Sequence, residues 1–140
     1  MKKRRLGKTN LYVSEIGLGT WQLGGKWGEP FNHDLALETL EAALKNGVNF
    51  YDTADVYNGG ASESALGDFL RKHPNEGIYV ATKAGRYLNP HIAKSYNEEN
   101  ITAFVKQSLN RLGVQRLDLL QLHCPPSLVY DSEDTYRFLD

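Results

Sequence analysis

Three apolar, strand-like runs begin at positions 48, 78 and 117, and a helix-like stretch separates each from the next. Intervals of 30 and 39 residues suit parallel strands. A parallel neighbour is reached only by a crossover of a dozen or more residues, usually a helix. A run at 13–18, stopped by Gly17-Leu18-Gly19, supplies an earlier strand. Asp34 can cap a helix over 34–46, with Leu37, Leu40 and Leu44 on one face and Gly47 as terminator. Ser62 opens a second helix through 71 that presents Ala65, Leu66, Phe69 and Leu70. Asn97 caps a third, with Ile101, Phe104, Val105 and Leu112 inward and Gly113 at its end. A fourth helix is expected from 131.

This alternation predicts an α/β chain made of the first four βα units of a (β/α)8 TIM barrel. Such a barrel typically takes about 250 residues, so 1–140 would be the N-terminal half of a single domain. A doubly wound open sheet would carry a three-glycine phosphate turn after its first strand. Here Thr20-Trp21-Gln22 follow Gly19, and the third glycine is missing. A half barrel leaves two strand edges unpaired and an inner face without a wall. The chain is therefore expected to be a truncated piece of a larger enzyme, or to complete itself by self-association.

Composition excludes several classes. The chain is 41% hydrophobic and 24% charged, which suits an ordinary globular protein. A net charge of −1 gives no general attraction to nucleic acid or membrane surfaces. No apolar run is long enough to span a bilayer, and a cytoplasmic, reducing setting is expected. The Lys2-Lys3-Arg4-Arg5 cluster reads as a solvated terminal strand. The four histidines show no metal-ligand spacing. Cys124, the single cysteine, lacks a base partner by spacing and is expected to be a buried, inert thiol.

Four polar residues follow the strand-like runs directly: Asp52 and Tyr57 the second, Lys83 the third and His123 the fourth. In a barrel these positions share one rim, where such folds do their chemistry. A free phenol gives up its proton reluctantly at neutral pH, and an ammonium beside it favours the phenolate. Lys83 could supply that charge, with Asp52 holding it, so that Tyr57 protonates a developing alkoxide. His123 could polarise the same carbonyl oxygen. Side chains cannot deliver hydride, so a nicotinamide cofactor would have to. Singly, each residue has a bland reading: a turn cap, a packed loop aromatic, a surface charge, a satisfied histidine. Four on one rim from three strands outweigh those readings. Trp21, directly after a strand, is expected to wall the pocket, and Trp27 either to line it or to pack its loop.

The motifs around these residues resemble the aldo-keto reductase family. They are Arg5-Leu6-Gly7-Lys8-Thr9, Val13 to Trp21, Phe50-Tyr51-Asp52-Thr53-Ala54-Asp55-Val56-Tyr57, Val80-Ala81-Thr82-Lys83, and Arg111-Leu112-Gly113-Val114 leading to His123. The resemblance implies carbonyl reduction on a small aldehyde or ketone with NADPH. It makes Tyr57 the proton donor, Lys83 and Asp52 its tuning pair, and His123 the carbonyl-orienting group. It places Gly19, Thr20, Trp21 and Asp52 at the cofactor. In the family most cofactor contacts come from later strands and loops, past position 140. Asn58 stands where the family usually has glycine, a one-residue change that should leave Tyr57 usable. Two other readings are a non-catalytic binding or regulatory subunit of the same fold, and Schiff-base chemistry at Lys83. An Asp52 partner would disfavour the latter by keeping the amine protonated.

Overall fold

The computed structural model describes residues 1–26 and 28–139. Four parallel strands, β3 (Leu18–Gly19), β4 (Phe50–Asp52), β5 (Tyr79–Ala84) and β6 (Leu119–Leu122), pair in that spatial order. Helices α1 (His33–Lys45), α2 (Ala61–Lys72) and α3 (Glu98–Leu112) alternate with them, and α4 (Glu133–Leu139) follows β6. This is the predicted series of four βα units. A short antiparallel hairpin of β1 (Lys3–Arg5) and β2 (Tyr12–Ser14) precedes it. The basic cluster at 2–5 is solvent-exposed, with Lys3, Arg4 and Arg5 forming β1. No helix among the described residues is long and apolar enough to cross a membrane.

The expected first strand, 13–18, is divided in the structure. Residues 12–14 pair backward with β1, and only Leu18 and Gly19 join the parallel sheet, opposite Tyr51 and Asp52. The buried side chain of Asn49 enforces the break. Its Oδ1 accepts from the Ser14 amide at 2.7 Å, and its Nδ2 donates to the carbonyls of Tyr12 and Gly77. The hairpin is thereby tied across the N-terminal ends of β4 and β5. The first helix also differs in its cap. Asn32 accepts from the Leu35 amide at 3.0 Å, and Asp34 lies in the first turn, where a carboxylate suits the helix dipole. The second helix begins one residue earlier than expected, at Ala61. Asn97 caps α3 as read, and Gly113 closes it at φ +67°.

Pleating sends alternate residues to opposite faces of the sheet. Tyr51 and Val80 point to the helices and join Ala36, Leu40, Ala65, Leu66, Phe69 and Leu112 in the main core. Leu120 and Leu122 face a second cluster of Leu88, Tyr96, Ile101 and Val129. On the other face Phe50, Asp52, Tyr79, Lys83, Leu119 and Gln121 are only partly buried. Glycine decides one helix contact. A Cβ on Gly67 of α2 would lie 2.3 Å from the Arg111 carbonyl oxygen of α3, so the two backbones touch there.

Candidate active site

Parallel register brings the four candidate residues together. Asp52 ends β4 and Lys83 lies near the end of β5, and His123 follows β6 directly. The His123 amide donates to the Ala84 carbonyl at 2.8 Å and continues the ladder. Past β4 the chain keeps pairing with β5, through Thr53 N–H to the Ala81 carbonyl and Asp55 N–H to the Lys83 carbonyl. It then turns through a 3-10 segment, Tyr57–Gly60, that carries the phenol back over Lys83.

That turn explains the departure at position 58. Asn58 has φ 49° and ψ 40°, the left-handed region that glycine enters freely. Asparagine is among the few other residues that tolerate it. Its Nδ2 also donates to the Leu23 carbonyl at 3.3 Å, so the substitution keeps the loop path.

The Lys83 ammonium has three N–H groups and three acceptors. It ion-pairs with Asp52 Oδ1, donates to the Thr53 carbonyl at 2.8 Å, and reaches the Tyr57 hydroxyl at 3.4 Å. Its nitrogen lies 5.0 Å from the Tyr57 ring centroid. An ammonium only donates, so the Tyr57 oxygen accepts from it and keeps its own proton free for another acceptor. With all three N–H groups engaged, the Lys83 nitrogen is poorly placed to attack a carbonyl as a Schiff-base nucleophile.

His123 meets Tyr57 edge to face, with ring centroids 6.0 Å apart. Its pKa is lowered first by burial, then by the Lys83 and Arg86 charges and by His91, with Asp52 opposing. The ring is therefore neutral near pH 7. Nδ1 is buried with no hydrogen-bond partner among the described residues. The neutral tautomer that carries its proton on Nε2 avoids burying an unsatisfied N–H and leaves Nε2 a donor.

Tyr57 and His123 share a pocket of about 680 Å³ with Trp21, Gln22, Lys26 and Arg86. Trp21 thus lines the pocket as expected, while the reading of Trp27 falls outside the described residues. Gly19 pairs with Asp52, and a Cβ there would meet nothing within 4 Å. Thr20 is not brought to the pocket. Its hydroxyl is fully buried, donates to the Asp52 carbonyl at 3.0 Å and accepts from Ser62 Oγ at 2.8 Å. It supports Asp52 from behind. Cys124 is exposed, against expectation, and has φ 51°. The chain leaves β6 through this left-handed residue, out on the open rim and away from the core.

Sequence reasoning passed over a buried charge network behind the site. Glu63, fully buried, accepts from Thr82 Oγ1 and from Arg111 Nε, each at 2.6 Å. Asp55 lies beside it at 1% exposure, and neither of its carboxylate oxygens has a hydrogen-bond partner among the described residues. Burial and the Glu63 charge push its pKa up to about 6, while Arg111 and the nearby amides of Val56 and Gly85 lower it. Among the described residues no group of three or more histidine, cysteine or acidic side chains is placed to hold a metal.

An aromatic wall, an open glycine position at the strand end and a neutral imidazole donor suit a flat, uncharged ring lying beside a carbonyl group. Comparison with known proteins gives the family. A model described as the aldo/keto reductase family matches residues 15–140. The NADH-specific methylglyoxal reductase of Escherichia coli is 35% identical over 136 residues, covering 88% of this chain and 42% of that protein. An aldo-keto reductase from Bacillus halodurans, solved in its holo form, superposes with a TM-score of 0.80 at 34% identity over 99% of this chain and 45% of its own. A glycerol dehydrogenase from Gluconobacter oxydans gives 0.77 at 32% identity, over 99% and 43%. The chain thus spans less than half the length of these relatives.

Proposed function

This chain belongs to the aldo-keto reductase family, and on that premise we propose that its rim reduces a small aldehyde or ketone to an alcohol. The family works with a nicotinamide cofactor, which supplies the hydride when bound. The proposed reductant is NADPH, as the family resemblance implies, and Trp21, Gly19 and Asp52 would border its ring. We propose further that residues 1–140 are the N-terminal half of one barrel. The partly buried inner face would then be covered either by further barrel strands or by a second copy of the chain.

The supporting observation is the convergence of Tyr57 and His123 on one pocket, with the Lys83 ammonium 3.4 Å from the Tyr57 hydroxyl. His123 orients the carbonyl through its Nε2 proton. Tyr57 gives its free proton to the oxygen as negative charge develops there. Lys83 stabilises the phenolate that remains, and Asp52 fixes Lys83. Transfer of one hydride and one proton balances the conversion of carbonyl to alcohol.

The test is loss of nicotinamide absorbance with methylglyoxal and either NADPH or NADH, read for the native chain and for Tyr57→Phe. Removing a general acid costs about 10²–10⁴-fold in turnover, so the variant should be nearly inactive while its cofactor titration is unchanged. Retention of most activity by Tyr57→Phe would remove the proton-donor role. Tighter binding of NADH than NADPH would correct the cofactor.

A further inference from the structure

We propose that Tyr96 is a positioning residue for His123, a strut that holds the imidazole against the Lys83 strand. The inference rests on the reading of His123 as part of the active site. Tyr96 ends the long polar loop between β5 and α3, directly before the Asn97 cap, yet it is 3% exposed. Its ring presses on the backbone just past Lys83: a Cβ on Gly85 would lie 2.5 Å from Tyr96 Cε1. Its hydroxyl donates to the His123 carbonyl at 2.9 Å. The His123 amide is held at the same time by the Ala84 carbonyl at 2.8 Å. Both backbone polar groups of His123 are therefore fixed, one by the neighbouring strand and one by Tyr96. The next residue, Cys124, takes a left-handed turn, so without the strut the chain at His123 would be held from one side only.

A hydroxyl has one proton. Because Tyr96 gives its proton to the His123 carbonyl, the 2.9 Å contact with His91 Nε2 must be donated by the histidine. His91 thus backs Tyr96 and orients its hydroxyl. The strut joins the loop, the end of β5 and the end of β6, and it sets the spacing between the proton-delivering pair and the carbonyl-orienting ring.

Tyr96→Phe separates this role from simple core filling, because phenylalanine keeps the ring and its volume. The readout is the pH titration of the His123 ring nitrogens by NMR on the chain itself, which needs no turnover. A His91→Ala variant serves as the comparison, since it leaves the bond to the His123 carbonyl in place and removes only the last-ranked of the charges that lower the His123 pKa. With Tyr96→Phe folded by circular dichroism, the His123 midpoint should rise by about half a pH unit or more as the ring gains water, and by clearly less in His91→Ala. An unchanged midpoint in folded Tyr96→Phe would show a packing role alone and overturn the proposal. Loss of activity in His123→Gln tests the site reading separately, so the two can fail independently.

Discussion

Asp55 carries a cost that its neighbours impose. Its carboxylate is buried beside fully buried Glu63, and one guanidinium, Arg111, serves both. The folded pKa of about 6 lies above that of an unfolded aspartate. The folded state therefore binds more protons between about pH 4 and pH 6, and stability falls as pH rises through that window. Asp55→Asn removes the charge at nearly constant shape. Urea denaturation should find it more stable than the native chain at pH 8, by an amount on the order of 2–3 kcal/mol, and equal to it near pH 4. Equal stability at both values would mean that Asp55 is solvated when folded. At this scale the sequence was partly legible. Asp52, Tyr57, Lys83 and His123 each follow an apolar run, so strand ends predict their meeting. Asp55, Glu63 and Tyr96 gave no such signal, because their roles depend on close approaches at Gly60, Gly67 and Gly85 that spacing does not reveal.

At the scale of elements, the meeting of α2 and α3 depends on Gly67. An alanine in a helix interior ordinarily gains about 1 kcal/mol over glycine. Here the added methyl would lie 2.3 Å from backbone of α3, which cannot yield as a flexible side chain would. Overpacking of this kind costs about 1–3 kcal/mol, and the clash is with a rigid carbonyl, so it wins. Gly67→Ala should lower the melting temperature by several degrees, measured by circular dichroism; a rise would mean that the helices separate freely. Helix faces and the Asn97 and Gly113 boundaries were readable because capping is local chemistry. The division of the first strand was not, for a physical reason. An antiparallel hairpin strand and a short parallel strand share one apolar pattern, and the Asn49 side chain that divides them lies 35 residues from Ser14.

For the whole molecule, the helix-covered face of the sheet is packed and the opposite face is only partly buried. Leu119 pairs with Ala81 and shares that face with Lys83. If a second copy covers it, sedimentation at micromolar concentration should give a mass above the monomer, and Leu119→Lys should restore the monomer. A monomer at every concentration would leave self-association without support. The βα order was legible because crossover helices impose a minimum spacing on parallel strands. What covers the inner face was not, since an unpaired face carries no mark of its partner.

Cys124 offers an experimental consequence. It is the single cysteine in 140 residues, it is exposed, and it directly follows His123. A thiol-reactive fluorophore would therefore attach at one place, one residue along the chain from the pocket wall. Its emission would report on occupancy of the rim in real time and turn an accident of sequence into a built-in gauge of binding.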